Sequence, residues 1–590
     1  MVNNYKQDED KTKFSWNNMA RMMEFIKPYK KDLIVSLLIG IFASVLLLFM
    51  PKVMVYAIDV SFVNKNLGEI VFLTLVMLLL VVISVSLTKY KRDKIIVILD
   101  KVSYDMKMAI FQKLQVLPNS YFDTKSHGKI YTRATNYPDE ASIIICYVLL
   151  DAILDVIELI FVVIFMLSTN VKLSLISILL SLILVSFFVF LAPVRRKLKQ
   201  NANNKSSNVN AYLSESINGI RITQSFNREK KNESILKDLE NERIDAYRRT
   251  WYISNLNWSL TGILNYVSMI LLFYIGLRYM YPIVSIGVII AIDSYSSRFW
   301  GPIEYLTSSY NDLMDASNYL ERIFELLDEP LIIMDSKSAQ NVSIEGNIEF
   351  RDVSFSYDKK KMVLEHFNLK IKAGQKVGLV GETGCGKSTI LSLISRFYDI
   401  ESGGLLIEGV NIKDIKLYSL RSQISQMLQD NFLFARSVYD NLVLDKKKTK
   451  EEVIDICKML DIHEMIMSLE HGYETVLLNN GSNLSSGERQ LLCMARIMVQ
   501  NPKVLILDEA TSNIDLKTEH KLQKAMDIIT KNRTTIMVAH RISTIKNCDK
   551  IVLVKDHINY EEGSHKELMK KKGEYYKLYN SQAIINSAKE

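Results

Sequence analysis

Residues 381–389, GETGCGKST, have the types and the spacing that hold the phosphates of a nucleotide. The apolar run QKVGLV before them predicts a strand, and ILSLISRFY after them predicts a helix, which is the context that a P-loop requires. The glycines let the backbone curl so that its N–H groups and the helix N-terminus face phosphate oxygens. The predicted contacts are Gly381, Glu382, Thr383, Gly384, Cys385, Gly386, Lys387, Ser388 and Thr389.

Two of these side chains have specific chemical roles, and a later strand adds two acids. Lys387 is predicted to supply a cation to the β- and γ-phosphates, and Ser388 to hold Mg²⁺ through its hydroxyl. The buried run VLILDE ends in Asp508, which suits a magnesium ligand, and Glu509, which suits a base that orients an attacking water. Ligands of an α/β sheet bind at the carboxyl ends of its strands, so the acids and the P-loop together predict a site for ATP and Mg²⁺.

The elements that must position this site lie in the second half of a chain of 590 residues, whose first half has a different character. Apolar runs long enough to cross a bilayer, which takes ~20 residues, are concentrated before residue 300. The six predicted spans are 32–60, 69–89, 142–168, 171–192, 255–278 and 283–305. The predicted division is a cytosolic arm 1–30, a transmembrane domain 31–325, a linker 326–345, an ATP-binding domain 346–582 and a tail 583–590.

The distribution of charge predicts the orientation in the membrane. The N-terminal arm and the two long connections, within 90–141 and 195–238, are basic, whereas the short connections are nearly neutral. Cytoplasmic segments carry the excess of Lys and Arg, so the N-terminus and the ATP-binding domain are predicted to be cytosolic. The net charge of +8 could indicate nucleic acid, but its dispersal over these connections favours the lipid surface as the partner. The five cysteines show no spacing for a zinc site or a disulfide framework.

Further motifs make the chain similar to one known family. With the P-loop and VLILDE in this order, it resembles an ATP-binding cassette (ABC) exporter half-transporter. The resemblance implies that Tyr357 in VSFSYD stacks on adenine, that Gln429 in QMLQDNFLF contacts Mg²⁺ and senses the membrane domain, and that His540 in MVAHRISTI contacts the γ-phosphate. It also identifies SNID, 512–515, as the D-loop.

The membrane half resembles the same family through less specific segments. The stretches 117–136 and 213–229 are similar to its two cytoplasmic connections, and ERIFELLDE, 321–329, is similar to the exit from its sixth span. The expected fold class is therefore an α-helical transmembrane domain of six long helices, followed by an α/β P-loop ATPase domain. Helical periodicity in the connections favours a packed helical stalk over a loose loop.

One family motif is altered in this chain. The signature LSGGQ, which in the family completes the ATP site of the opposite subunit, reads Leu484 to Glu488 as LSSGE. Ser485 and Gly487 remain suited to phosphate, whereas the Glu488 charge at ~8 Å from a phosphate costs on the order of 2 kcal/mol at an effective dielectric of ~20. In TVLLNNG, just before the signature, Asn479 stands where the TxVGExG element of the family has an acid. An intact P-loop and VLILDE run beside an altered signature favour the interpretation that this chain is one member of a heterodimer. The alternative is a homodimer in which the altered signature is tolerated variation.

Acidic residues in the third predicted span suggest what is carried. Asp151, Asp155 and Glu158 share one helical face. Charges are expensive in a bilayer, so these acids are expected to face a water-filled cavity or partner helices. One interpretation is a cavity that attracts cationic amphipathic compounds, supported by Trp258, Tyr266, Tyr295 and Trp300. The alternatives are interhelical pairing, for example with Arg298, and a position in the cytosolic stalk.

The expected function is ATP-driven export of amphipathic compounds, cationic ones among them, across a cytoplasmic membrane. Richness in Lys, Asn and Ile indicates a bacterial source. The alternatives are a lipid or peptide exporter and a regulatory ABC protein that does not pump. The six spans exclude a soluble cassette ATPase that acts on DNA.

Overall fold

The computed structural model describes residues 15–281, 283–427, 432–444, 446–508, 516–538 and 545–587. The chain divides into two compact units, each described by itself below. The membrane unit ends at Glu329, and the cassette unit runs from Pro330 onwards and also includes the segment Val116–Ser126. Most of the first cytoplasmic connection therefore stays with the membrane helices, while its tip is grouped with the cassette.

The membrane unit is entirely helical over its described residues. Its α-helices are α1 Trp16–Ile26, α2 Lys30–Leu48, α3 Met50–Tyr56, α4 Leu67–Val116, α5 Asn119–Thr124, α6 His127–Ala134, α7 Asn136–Ile143, α8 Leu149–Thr169, α9 Val171–Asn218, α10 Ile220–Ser225, α11 Glu229–Ile275, α12 Ile286–Ser297 and α13 Trp300–Leu327. Helix α5 belongs to the tip grouped with the cassette. Three π-helical turns, Ala57–Phe62, Ile144–Val148 and Gly276–Met280, extend or join these helices.

Sequence sets both the length and the ends of the long helices. Helices α4, α9 and α11 have 50, 48 and 47 residues, so the predicted connections are helical extensions of the spans, not loose loops. Asn170 separates α8 from α9 because its side chain accepts a hydrogen bond from Leu173 N–H and caps the new helix. Buried side chains of α2, α8, α9, α11 and α12 then form one apolar core.

By length and composition, three segments of the described residues could cross a membrane. These are Trp16–Phe62, Leu67–Val116 and Gly262–Met280, and Val171–Ile183 is a shorter apolar helix of the same kind. All four lie in the first half of the chain and overlap predicted spans.

The cassette unit contains two sheets. Its strands are β1 Ile348–Ser356, β2 Met362–Ile371, β3 Lys376–Val380, β4 Ser402–Ile407, β5 Val410–Asn411, β6 Ile424–Met427, β7 Val504–Asp508, β8 Thr534–Val538, β9 Lys550–Lys555 and β10 Ile558–Gly563. The first sheet is antiparallel with the order β2-β1-β4-β5. The second has the order β10-β9-β3-β8-β7-β6 and is parallel except for β10.

Helices cover these sheets and form the rest of the cassette core. They are α14 Lys387–Ile394, α15 Leu417–Arg421, α16 Val438–Val443, α17 Lys450–Met459, α18 His463–Met467, α19 Ser486–Gln500, α20 Leu516–Ile529, α21 His565–Lys571 and α22 Glu574–Ser587. Strands β7 and β8 are buried almost throughout, which explains their unbroken apolar sequence. Strand β3 lies between β9 and β8, so the P-loop that follows it leaves from the interior of the sheet.

The chain that enters the cassette is hydrogen-bonded along its length. Gln340 forms a β-bridge with Ile415, and Leu417 N–H donates to the Asp335 carboxylate at 2.8 Å. The buried guanidinium of Arg396, at the end of α14, donates to the carbonyl oxygen of Met334 at 3.2 Å. Much of the predicted linker 326–345 is thus attached to the cassette, directly behind the P-loop helix.

Candidate functional site

The P-loop connects β3 to α14, as the sequence predicted. Gly384 and Gly386 have φ angles of +86° and +103°, a left-handed backbone that side chains disfavour. A Cβ atom on Gly386 would lie 2.9 Å from the carbonyl oxygen of Val363, and one on Gly381 would lie 2.2 Å from that of Val554. Backbone conformation alone therefore requires glycine at 384, close packing requires it at 381, and both reasons apply at 386.

The lysine of the loop folds back over it. Lys387 is 7% exposed, and its Nζ donates to the carbonyl oxygens of Gly381 at 2.9 Å and Glu382 at 2.7 Å. The Cys385 sulfur lies 3.7 Å from the same nitrogen. A cation thus sits at the centre of the loop, where phosphate oxygens could replace the two carbonyl groups as its partners.

The remaining donors of the P-loop suit Mg²⁺ and the nucleotide. Ser388 is exposed at the first turn of α14, where its hydroxyl is available to a metal ion. Asp508 ends β7, which is separated from β3 by β8 alone, so its carboxyl lies at the same edge of the sheet. The glycine cradle, the lysine, the hydroxyl and the carboxyl match what Mg²⁺–ATP requires.

Four predicted elements lie outside the described residues. These are Glu509 after β7, Gln429 after β6, His540 after β8 and the D-loop 512–515. The strands that precede Glu509, Gln429 and His540 are neighbours in the order β8-β7-β6.

An aromatic cluster joins the predicted adenine contact to the tip of the first cytoplasmic connection. The Tyr357 hydroxyl lies 3.0 Å from that of Thr389, and its ring is perpendicular to Tyr398, with centroids 5.0 Å apart. The Tyr398 hydroxyl in turn donates to the Asp123 carboxylate of α5. Burial, followed by the bond to this carboxylate, raises the pKa of Tyr398 above its usual range. Sequence reasoning missed Tyr398 and Asp123, although RFYD after the P-loop helix and SYFD in the connection contain them.

The altered signature forms the N-terminus of α19. The Ser485 side chain accepts a hydrogen bond from Glu488 N–H at 3.3 Å, and the Glu488 carboxylate accepts one from Ser485 N–H at 2.8 Å. This reciprocal pair is a capping box. Arg489 closes the loop by donating to the carbonyl oxygen of Leu484 at 2.7 Å. Gly487 is buried in the first turn, and the side chain of Asn479 lies outside the described set.

The acids of α8 have different environments. Asp151 pairs with Lys91 of α4 at 2.8 Å, and both side chains are largely buried. Glu158 lies 3.6 Å from Arg298 and accepts a hydrogen bond from Ser44 at 3.0 Å. Asp155, between them, makes no hydrogen bond or ion pair with any described residue. The interhelical pairing weighed as an alternative thus applies to two of the three acids.

The aromatic residues expected near these acids also have different environments. Tyr295 is fully buried and donates to the carbonyl oxygen of Leu48 at 2.7 Å, so it belongs to the core and does not line a cavity. The Trp300 indole donates to Asn265 at 3.0 Å, and Tyr266 is 67% exposed. The Trp258 side chain is outside the described set.

Fold and site together define a membrane protein whose helical half is joined to a P-loop ATPase cassette. Residues 33–303 match the ABC transporter transmembrane region, and residues 364–512 match the ABC transporter ATP-binding domain. The chain belongs to the ABC transporter family.

Relatives match over almost the whole chain. The uncharacterized ABC transporter ATP-binding protein YknV of Bacillus subtilis is 34% identical over 98% of this chain and 97% of its own. The putative multidrug export ATP-binding/permease protein YgaD of the same organism is 34% identical over 96% and 99%. A putative multidrug export ATP-binding/permease protein of Staphylococcus aureus is 33% identical over 96% and 100%.

A solved structure has the same fold. A bacterial Atm1-family ABC exporter with ATP bound matches with a TM-score of 0.73 and 23% identity, over 95% of this chain and 98% of its own. The comparisons confirm the predicted family and fold class. The chain is an ABC exporter with an ATP-binding domain, and it is a membrane protein.

Proposed function

We propose that this chain is one subunit of a bacterial exporter that hydrolyses ATP to move amphipathic compounds, cationic ones among them, out of the cytosol. The observation that carries this proposal is a complete P-loop, with Lys387 at its centre, in the same chain as a helical membrane unit. The name of the relative YgaD, a putative multidrug export protein, supports export of drug-like compounds over export of lipid or peptide.

The proposed ATP site assigns one task to each group. Lys387 exchanges its two carbonyl partners for the β- and γ-phosphate oxygens, and the N–H groups of residues 384–389 complete the cradle. Ser388, Asp508 and Gln429 would hold Mg²⁺, which would neutralise phosphate charge when bound. Glu509 orients and deprotonates the attacking water, His540 contacts the γ-phosphate, and Tyr357 stacks on the base.

The proposal includes a second half-transporter of different sequence. In this chain the Glu488 carboxylate occupies Ser485 N–H, a donor that would otherwise face the partner's γ-phosphate. A phosphate must compete with that carboxylate at a helix N-terminus, which stabilises either anion. The signature of this chain therefore binds phosphate weakly, whereas its P-loop is intact. Glu509 would then hydrolyse ATP at the site that the partner completes with its own, better signature.

For the transported compound, the proposal rests mainly on Asp155. Lys91 pairs with Asp151, and Arg298 lies near Glu158, whereas Asp155 makes no hydrogen bond or ion pair with a described residue. A carboxylate without a partner in a membrane segment is costly unless water or a cation reaches it. A cationic amphipathic compound could supply that charge, with its apolar part against the surrounding helices.

Transport into inside-out vesicles tests the function most directly. Membranes that contain this chain and its partner should accumulate a cationic dye when ATP is added, and the Glu509→Gln variant should not. The proposed orientation places the cassette on the outer face of such vesicles, accessible to ATP. ATP hydrolysis without accumulation of any amphipathic dye would instead favour a regulatory ABC protein.

A further inference from the structure

A carboxylate at the end of the first span accepts two hydrogen bonds from the start of the last one, beside apolar packing between the same segments. Asp59 lies in the π-helical turn Ala57–Phe62, which continues α3. It accepts a hydrogen bond from the Ser285 hydroxyl and another, at 2.9 Å, from Gly287 N–H. Ser285 is itself the N-cap of α12, because its side chain accepts from Val288 N–H. The carboxylate therefore completes the cap of a helix that is 228 residues away in sequence.

The contact depends on a glycine at position 287. A Cβ atom there would lie 2.6 Å from the nearer carboxylate oxygen of Asp59 and 2.8 Å from its Cγ. Any side chain at this position would push the carboxylate away from the helix terminus. Asp59, Ser285 and Gly287 thus form a contact of defined geometry, which we call the outer latch.

The outer latch lies near the start of α4, at the opposite end of this helix from the first cytoplasmic connection. Helix α4 starts at Leu67, a few residues after Asp59, and ends at Val116, which is grouped with the cassette. Its 50 residues extend over about 75 Å. The intervening turn includes Asn64, Lys65 and Asn66, which are exposed and polar, so water lies close to the latch.

The bonds of the latch suit reversible opening. An exporter must separate the ends of its spans on the far side to release its cargo. Apolar packing resists such separation, whereas a carboxylate that becomes hydrated exchanges protein partners for water at a small net cost. Further from the outer end, Tyr295 of α12 donates to the carbonyl oxygen of Leu48 of α2, and both residues are fully buried. This bond has no access to water and can act as the pivot about which the first and last spans separate.

We propose that the Asp59–Ser285–Gly287 latch holds the first and last spans of this subunit together at the outer face, and that ATP binding releases it. The inference rests on the proposed exporter function, because an exporter needs an outward-open state. The latch would set the balance between the closed and open outer ends.

A disulfide tests the release. In the Asp59→Cys/Gly287→Cys variant, one sulfur would take the place of the Asp59 Cγ, which lies 2.8 Å from a Cβ atom at position 287, so we expect a disulfide to form on oxidation. The full-length chain, with its partner where assembly requires one, is oxidised in membranes with and without the non-hydrolysable analogue AMP-PNP. We expect rapid cross-linking without nucleotide and at least a severalfold slower reaction with it. Equal rates in both conditions, in protein that binds AMP-PNP, would overturn the proposal.

A second readout reports the opening without a cross-link. Ser61 is fully buried beside Asp59, so a Ser61→Cys thiol should react slowly with a membrane-impermeant maleimide. Adding Asp59→Asn should increase labelling severalfold, because the amide cannot accept both bonds as a carboxylate does. Glu69→Gln is the matched control, since the hydrogen bonds of Glu69 within the described residues go to Tyr56 and Asn66, at the same end of the spans, and not to α12. Equal labelling of the Asp59→Asn and Glu69→Gln proteins would contradict the latch.

These readouts also separate the two proposals. Cross-linking and labelling do not depend on transport, so a nucleotide-dependent latch in a protein that moves no dye would refute the pump and leave the latch intact. Active transport by the oxidised, fully cross-linked protein would refute the latch and leave the pump intact. Recovery of transport only after reduction supports both.

Discussion

Ser485 N–H donates to the Glu488 carboxylate at 2.8 Å, and Glu488 N–H donates back to the Ser485 hydroxyl at 3.3 Å. The residue that departs from the family signature therefore has a structural role at the start of α19. Glutamine can form the same reciprocal pair, so the acid differs from it only by a negative charge, which the helix N-terminus stabilises modestly. The charge is the property that distinguishes this signature.

Replacing Glu488 with Gln should raise the ATPase activity of the chain purified alone. The variant keeps the capping box and removes about 1–2 kcal/mol of repulsion between the signature and a phosphate, which corresponds to roughly fivefold to thirtyfold in rate. Steady-state hydrolysis in lipid measures the effect.

Glu567 provides the matched control for this prediction. It forms the same capping box with Ser564 at the start of α21, away from the signature. Glu567→Gln should leave hydrolysis unchanged, and both variants should unfold at the wild-type temperature. A Glu488→Gln protein no faster than wild type would contradict the repulsion argument.

Removing the Tyr398 hydroxyl should reduce transport more than ATP binding. Tyr398→Phe keeps the ring against Tyr357 but loses the bond to Asp123, which attaches α5 to the cassette. We expect the KM for ATP to stay within about twofold and the amount of dye moved per ATP to fall severalfold. Tyr418→Phe, at a position that is 85% exposed, is the control. If the Tyr398→Phe protein moved as much dye per ATP as wild type, the bond to Asp123 would not transmit the motion of the cassette.

Asp155→Asn should reduce export of cationic dyes while sparing neutral ones. The substitution keeps the size of the side chain and removes a charge that makes no hydrogen bond or ion pair with a described residue. A severalfold loss of cation export, measured beside a neutral dye of similar size, is the expected result. Equal loss of both dyes would reject selection by charge.

Asp151→Asn is the comparison for Asp155→Asn. It leaves Lys91 buried without its partner, so we expect lower expression or thermal stability and an equal loss for all dyes. The contrast separates a substrate-facing acid from a structural one.

Alkylation of Cys385 should inhibit hydrolysis. Its sulfur lies 3.7 Å from Lys387 Nζ, so an added group would obstruct the phosphate cradle. The other four thiols are buried, and burial raises the pKa of Cys457 to about 11 and that of Cys548 to about 12, which keeps both protonated. Maleimide treatment should inactivate wild type and spare Cys385→Ala, and ATP should slow the reaction. Equal inactivation of both proteins would exclude this site.

Local features of the sequence could be predicted because their causes are local. The strand, glycine loop and helix around Lys387 are contiguous, and each cause can be identified from neighbouring residues. The Ser485–Glu488 capping box also lies within four residues, but the acid was interpreted by its charge alone.

Long-range contacts could not be predicted in the same way. The Tyr398–Asp123 bond spans 275 residues and the Asp59–Gly287 bond spans 228, and neither has a periodic pattern to indicate its partner. The common helical face of Asp151, Asp155 and Glu158 followed from spacing. Which of them pairs with Lys91 or lies near Arg298 depends on how separate helices pack.

The most direct test of the account is ATP hydrolysis by this chain in lipid, alone and with a coexpressed second half-transporter, each beside its Glu509→Gln variant. The account predicts weak hydrolysis by the chain alone and strong hydrolysis by the pair, which Glu509→Gln abolishes. Strong hydrolysis by the chain alone, abolished by Glu509→Gln, would contradict the unequal pair and show that two LSSGE signatures are sufficient.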